Sequence, residues 1–150
     1  MYIYGGYLHD SEKLTTELWS FDFKSSKWTL VGPRRTNFGE SYVMDPSDAI
    51  SFPSVLPPER HSGVGVAFGS HIVVVGGAGG ADMGTELGDA YVFDAEKKAW
   101  TALILPSDNE AGLQRYDSAG ASFGTDKIAL FGGHGKGEFH NNLYNYHVDL

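Results

Sequence analysis

The amino-acid sequence predicts an all-β protein built from repeated antiparallel sheets. Among its 150 residues there are 20 glycines, and aromatic residues make up 13%, which is typical of short strands joined by tight turns. An apolar strand ending in Gly-Gly occurs three times, at residues 2–6, 73–77 and 129–133. A polar loop and an aromatic strand follow each time. A repeat of this kind indicates the architecture before any single residue is interpreted.

The spacing of the repeats indicates the blades of a β-propeller. The interval from Gly77 to Gly133 is close to the roughly 50 residues that one four-stranded blade needs. The interval from Gly6 to Gly77 is longer because it contains a proline-rich stretch. We expect that stretch, residues 32–59, to form a long loop between two blades.

Period-two alternation and turn residues predict about ten strands in three groups. Residues 1–31 are expected to form a blade without its first strand, residues 60–105 a complete four-stranded blade, and residues 106–150 a blade without its last strand. Propellers close as rings of roughly four to eight blades. We therefore expect the chain to be part of a larger propeller, or alternatively to complete a ring by self-association through its open blade edges.

Three features of the repeat have mechanical explanations. The Gly-Gly pairs are expected where a strand needs a positive φ or a close backbone approach. Trp28 and Trp100, on the last strands, are expected to fill the wedge between neighbouring sheets. Asp22 and Asp94 each precede a short turn, and their carboxylates are expected to accept hydrogen bonds from turn amides.

The second repeat unit resembles the kelch motif. Its matching elements are residues 60–66, the glycine pair 76–77, the strand 91–94 and Trp100, and the third unit repeats them at residues 115–120, 132–133 and 144. The resemblance covers nearly the whole chain outside residues 32–59, and it implies a kelch-type β-propeller with four-stranded antiparallel blades. Such a match is specific for the fold and much less so for the activity.

Charge and composition exclude several classes of partner and site. The formal net charge is −8, and the densest basic spot is Arg34-Arg35, so neither nucleic acid nor an anionic membrane surface is an expected partner. The chain has no cysteine, which excludes disulfides and thiolate metal sites. This absence fits a reducing compartment, and we expect a cytoplasmic protein.

The candidate binding residues lie at the loops and blade openings. In kelch propellers that this chain resembles, the loops between second and third strands gather on one face with the blade-to-blade loops, and partners usually bind there. The candidates at these positions are Tyr7, Arg60, His61, Arg115, Tyr116 and His134. The resemblance to kelch ubiquitin-ligase adaptors implies that the arginines can pair with a carboxylate of an acidic peptide. Their recurrence in both units favours a competing role, in which they brace the blades.

The sequence offers little support for catalysis. His134 and His140 share a loop with Glu138, but their spacing on a glycine-rich loop does not make three or four ligands converge on a metal. We expect no cofactor, no metal and no catalytic residue. The expected function is a scaffold that presents its loops to another protein or a peptide, within a larger protein such as an adaptor. The alternative is an enzyme or carbohydrate-binding propeller with a carboxylate/His site in the loop face.

Overall fold

The computed structural model describes residues 1–32, 55–104 and 110–150. The strands in these ranges are β1 (Tyr2–Tyr4), β2 (Tyr7–Leu8), β3 (Lys13–Leu14), β4 (Leu18–Asp22), β5 (Lys27–Leu30), β6 (Arg60–His61), β7 (Val64–Phe68), β8 (His71–Val75), β9 (Ala78–Gly79), β10 (Thr85–Glu86), β11 (Ala90–Asp94), β12 (Ala99–Leu103), β13 (Ala119–Phe123), β14 (Lys127–Phe131), β15 (His134–Gly135), β16 (Glu138–Phe139) and β17 (Leu143–His147). One helical turn, α1 (Glu110–Leu113), precedes β13. No helix in the described ranges has the length and apolarity of a membrane span.

Three antiparallel sheets form the body of the fold. Sheet I has the strand order β1-β4-β5, sheet II the order β7-β8-β11-β12, and sheet III the order β13-β14-β17. This arrangement confirms the prediction of an all-β propeller segment with about ten blade strands. The predicted long loop falls mostly on residues 33–54, and the predicted boundary between the second and third blades falls within residues 105–109. Both stretches lie outside the described residues.

Two apolar clusters fill the junctions between the three sheets. Alternation along β8 sends Val73 and Val75 into the cluster shared with sheet III, whereas Val74 belongs to the cluster shared with Leu18 of sheet I. Val73 and Leu18 are both fully buried. Sheet II therefore lies between sheets I and III and is covered on both faces. A sheet in this position needs apolar side chains on both faces, which explains the near-continuous apolar sequence of β8.

The Gly-Gly pairs form the corners where one sheet meets the segment that leads into the next. All six of these glycines have positive φ, as predicted. The N–H of Gly6 donates to the carbonyl oxygen of Arg60 at 2.8 Å, and that of Gly77 donates to the carbonyl oxygen of Arg115 at 2.9 Å. A Cβ on Gly76 would lie 2.8 Å from the same Arg115 oxygen. Glycine therefore permits both the backbone angle and the close approach.

Trp28 and Trp100 differ in their surroundings. Trp100 is 2% exposed, and its ring meets Tyr4 of sheet I edge-on with 4.9 Å between centroids, so it fills the wedge between sheets I and II as predicted. Trp28 is 47% exposed and packs on Phe21 of its own sheet. The wedge prediction is wrong for Trp28, because no sheet among the described residues covers that face of sheet I.

The turn aspartates behave as predicted. The Asp94 carboxylate accepts hydrogen bonds from the backbone N–H groups of Glu96 and Lys97, both at 2.9 Å. Asp22 accepts the equivalent bond from Lys24 at 2.9 Å. The bond from the Lys97 amide is the largest cause that lowers the pKa of Asp94 to about 2. These bonds fix the turn between β4 and β5 in sheet I and the turn between β11 and β12 in sheet II.

Candidate binding face

Short hairpins gather at one end of the sheets. Each connects the second strand of a sheet to the third, and the pairs are β2 with β3, β9 with β10, and β15 with β16. The segments that open sheets II and III join the same end, since His61 pairs with Ala78 and Tyr116 forms a bridge with His134. We call this end the loop face and define it as residues 7–14, 60–62, 78–86, 115–118 and 134–139.

Arg60 is buried beneath the loop face. Its side chain is 2% exposed and donates to the carbonyl oxygen of Gly76 at 2.8 Å. The guanidinium also donates to both carboxylate oxygens of Asp89, at 2.7 and 3.1 Å, and to the carbonyl oxygen of Pro58 at 3.2 Å. It lies 5.5 Å from the centre of the Tyr91 ring. Charge-assisted, bidentate pairing of this kind is both directional and strong.

Arg115 occupies the equivalent place in sheet III. It is also 2% exposed and donates to the carbonyl oxygen of Gly132 at 2.9 Å. Its second side-chain partner is an amide, Asn142 Oδ1, at 3.3 Å. The guanidinium lies 4.7 Å from the centre of the Tyr144 ring, a cation–π contact. Tyr146, nearby, has its pKa raised to about 12, chiefly because burial disfavours the phenolate.

Both arginines therefore tie a glycine corner to the start of the third strand in their own sheet. Their carbonyl oxygens hold the preceding sheet through Gly6 and Gly77. This geometry supports the brace interpretation. A binding role for Arg60 and Arg115 stays a prediction. Their burial does not favour it, because Arg60 donates from all three side-chain nitrogens to internal acceptors and Arg115 donates from one of its terminal nitrogens to two. The buried Nε of Arg115 has no hydrogen-bond partner among the described residues.

The other candidates are more accessible. Tyr7 is 48% exposed at the start of the first hairpin. The His61 ring is partly buried, with Nε2 2.8 Å from the carbonyl oxygen of Met83 and Nδ1 3.1 Å from Ser62 Oγ. His61 and Ser62 also line a groove of about 320 Å³ against the inner edge of sheet I. Their roles in binding remain predictions.

A row of three rings forms part of the loop face at sheet III. The centroids of Tyr116 and His134 are 5.0 Å apart, and His134 is again 5.0 Å from Phe139. Phe139 is 89% exposed, and the sequence analysis did not select it. The feature of the sequence that could have identified Phe139 is its position as an isolated aromatic residue after the glycine and charged residues of this hairpin. The buried Nδ1 of His134 has no hydrogen-bond partner among the described residues.

Glu86 joins two hairpins of the loop face. Both of its carboxylate oxygens accept from the backbone N–H of Lys136, at 2.7 and 2.8 Å. The bond connects the hairpin of sheet II to that of sheet III. Within the first of these hairpins, the Asp82 carboxylate accepts from the N–H of Gly84, which is the main cause that lowers its pKa. Neither Glu86 nor Asp82 was among the candidate residues of the sequence analysis.

The described part of the chain contains no cluster of side chains suited to bind a metal ion. No group of three or more His, Cys, Asp or Glu side chains converges there. His140 Nε2 lies 3.1 Å from the carbonyl oxygen of Gly135, so this ring is oriented by the hairpin.

Repeated antiparallel blades with glycine corners and buried arginines define a β-propeller segment of the kelch type. The family described as "KLHDC2/KLHL20/DRC7 Kelch-repeats domain" matches residues 1–150, and the chain belongs to this kelch-repeat family. Domains of this family are typically protein-interaction modules.

Similar curated proteins include leucine-zipper-like transcriptional regulator 1 from Mus musculus, Pongo abelii and Homo sapiens. Each is 28% identical over 113 residues, which cover 75% of this chain and 11% of the relative. The matched region is thus a small part of those proteins.

Proposed function

We propose that the chain is a protein-recognition scaffold whose loop face binds another protein or a peptide. One observation carries the proposal: the loop face exposes large aromatic side chains on hairpins that the sheets hold firmly. Tyr7 is 48% exposed and Phe139 is 89% exposed. Aromatic anchors on a rigid support supply binding area at a low cost in conformational entropy. The buried arginines and the Glu86–Lys136 bond support the required rigidity.

Charge favours a neutral or basic partner. The chain has a net charge of −8, and the exposed acidic residues of the loop face are Asp10, Glu12, Asp82, Asp117 and Glu138. Complementary charge accelerates association and discriminates between partners. An acidic peptide bound by Arg60 or Arg115 would have to compete with their internal hydrogen bonds.

We place the recognition function within a larger protein, such as an adaptor. Support comes from the relatives, of which the matched region is 11%. A cytoplasmic location is part of the same proposal, because a chain of 150 residues without cysteine suits a reducing compartment. The alternative of an enzyme or carbohydrate-binding propeller gains no supporting observation from the described residues.

Affinity capture with matched variants tests the proposed function. Proteins retained from a cell extract by the wild-type chain are quantified by mass spectrometry and compared with those retained by Tyr7→Ala and Phe139→Ala. The control is Phe23→Ala, a substitution of a 71% exposed aromatic residue outside the loop face. We expect the loop-face variants to lose specific partners by about tenfold while the control keeps them. Partners that survive both loop-face substitutions would contradict the proposal.

Self-association is a second proposal. Among the described strands, β1 and β17 each pair on one side only, and unpaired strand edges recruit other chains. Light scattering across a range of protein concentrations measures it directly. A mass that rises above 16.3 kDa supports self-association, and a constant mass of 16.3 kDa overturns it.

A further inference from the structure

His61 and Ser62 form a hydrogen-bonded pair where the chain enters sheet II. Nδ1 of His61 lies 3.1 Å from Ser62 Oγ, and Nε2 lies 2.8 Å from the carbonyl oxygen of Met83. A carbonyl oxygen can only accept a hydrogen bond, so the contact with Met83 places the ring proton on Nε2. Nδ1 of the neutral ring is then an acceptor, and the Ser62 hydroxyl donates to it.

These three groups have the order of a nucleophile, a base and a group that orients the base. A serine hydroxyl is a weak nucleophile until a neighbouring base takes its proton. The His61 imidazole is hydrogen-bonded to the hydroxyl on the side that can accept this proton. The Met83 carbonyl oxygen holds the opposite side of the ring, fixes its tautomer and stabilises the imidazolium that forms after proton transfer.

The backbone holds the pair in place. His61 is the register partner of Ala78 in β9, and the carbonyl oxygen of Ser62 accepts from the N–H of Asp117 at 3.0 Å. Ser62 has a φ of +54°, a conformation that costs energy in a residue other than glycine and persists where the surroundings impose it. The hydroxyl and the imidazole are therefore positioned before any substrate arrives.

Comparison with sheet III separates the pair from the requirements of the fold. Tyr116 and Asp117 occupy the equivalent positions there, and Asp117 has a φ of +55°. The corner backbone is thus common to both sheets, whereas the His61–Ser62 pair is specific to sheet II. Ser62 and Asp117 are both exposed. Because Asp117 follows the four-stranded sheet II, exposure at this corner persists where the preceding sheet has all its strands.

We propose that Ser62 is a nucleophile that takes an acyl group from an activated ester, with His61 as its base. Ser62 Oγ forms a bond to the carbonyl carbon of the ester, and the hydroxyl proton passes to His61 Nδ1. The bond between the carbonyl carbon and the leaving oxygen breaks, and the imidazolium returns its proton to that oxygen. The products are O-acylated Ser62 and one alcohol.

The proposed reaction is a single covalent transfer onto the chain, without turnover. It assigns Ser62 as a modification site, and it does not depend on the recognition function of the loop face. The base contributes by removing the proton as the Oγ–carbon bond forms, an effect that is typically worth at least a hundredfold in rate. Reactivity at Ser62 is therefore expected to depend on His61 and on the folded backbone.

Acetylation by p-nitrophenyl acetate tests the proposal. Release of p-nitrophenolate gives the rate, and mass spectrometry of peptides locates the acetyl group, which is expected on Ser62 in the wild type. Ser62→Gly removes the hydroxyl and suits the positive φ, so it is expected to lose this label. His61→Tyr introduces the residue type that Tyr116 supplies at the equivalent position, and it is expected to slow labelling of Ser62 by about a hundredfold.

Ser118→Ala is the matched control. The Ser118 hydroxyl lies in the opening segment of sheet III and donates to the carbonyl oxygen of Gly132 at 3.2 Å, away from any imidazole acceptor. Its removal is expected to leave the labelling rate of Ser62 unchanged. Circular dichroism verifies that each variant is folded. Labelling of the wild type in urea is a second measurement that needs no variant, and Ser62 is expected to lose its excess reactivity there.

Four results would overturn the proposal. The first is a wild-type chain whose Ser62 stays unlabelled while other groups react. The second is His61→Tyr labelled at the wild-type rate, because the imidazole then does not act as the base. The third is release of p-nitrophenolate that persists in Ser62→Gly and is lost in His61→Tyr, which means that the imidazole itself attacks the ester. The fourth is an equal labelling rate of Ser62 in the folded and the urea-denatured chain.

Discussion

Arg60 and Asp89 form a bidentate ion pair at the loop-face end of sheet II, with guanidinium–carboxylate distances of 2.7 and 3.1 Å. Arg60 is 2% exposed and Asp89 33% exposed, so one partner is shielded while the other retains contact with water. In sheet III the same bond joins Arg115 to the neutral Asn142. The arginine thus occupies the same position in both sheets, but its side-chain partner is a charged carboxylate in one and a neutral amide in the other.

The first prediction compares Arg60→Met with Arg115→Met. Each substitution removes a hydrogen bond to a glycine carbonyl oxygen, but only Arg60→Met also leaves the Asp89 carboxylate without its cation. We expect Arg60→Met to reduce the free energy of unfolding by about 2–3 kcal/mol, below the cost of breaking a fully buried pair because Asp89 stays partly solvated. Arg115→Met is expected to cost less. Urea denaturation at one protein concentration measures both, and a larger loss for Arg115→Met would contradict the assignment.

The second prediction concerns the glycine corner of sheet II. A Cβ at Gly76 would lie 2.8 Å from the carbonyl oxygens of both Leu113 and Arg115, at a φ of +59°. Gly69 has a similar φ of +56° but nothing within 4 Å of a Cβ. We expect Gly76→Ala to lower the free energy of unfolding by about 3 kcal/mol or more, and Gly69→Ala by about 1–2 kcal/mol from the φ angle alone. Equal losses in thermal or urea unfolding would show that backbone angle, not close approach, requires glycine at this corner.

The fold could be predicted from the sequence because the same pattern of strands, turns and glycine pairs occurs three times. The ten blade strands follow from alternation and turn residues, and the glycine corners follow from their position. The partner of Arg60 was not predicted, because Asp89 lies far along the chain and only tertiary packing brings the two together. A signal existed: Asp89 and Asn142 each stand directly before a third strand, 29 and 27 residues after the arginine.

The candidate site was harder to predict than the fold. Residues after each glycine pair, such as Tyr7 and His134, do belong to the loop face, since the period places them there. Exposure could not be read from the repeat, because Trp28 and Trp100 have equivalent positions and opposite surroundings. What covers a sheet depends on its neighbour, and that neighbour is specified elsewhere in the chain or in another copy.

The third prediction tests the bond that joins two hairpins of the loop face. Glu86→Ala removes the acceptors of the Lys136 N–H while leaving the blade sheets intact. We expect hydrogen exchange at the Lys136 amide to accelerate by about tenfold, which corresponds to one charge-assisted hydrogen bond. Glu138→Ala, in the same hairpin, is the control and leaves this rate unchanged. An unaltered rate in Glu86→Ala would show that the hairpin is held by its own strand pairing.

The fourth prediction is the pH dependence of the Asp94 turn. Hydrogen bonds to the Lys97 and Glu96 amides lower the Asp94 pKa from 3.8 to about 2 in the folded protein. A carboxyl group with a lower pKa when folded stabilises the protein fully above its unfolded pKa, and this contribution disappears as the pH falls through its folded pKa. We expect the midpoint of thermal unfolding to be higher in the wild type than in Asp94→Asn above about pH 4, with the difference vanishing near pH 2. Asp10→Asn, at an exposed loop position, serves as the control and should show no such convergence. If the difference in unfolding midpoint between the two proteins instead widens towards low pH, the turn does not stabilise the charged form of Asp94.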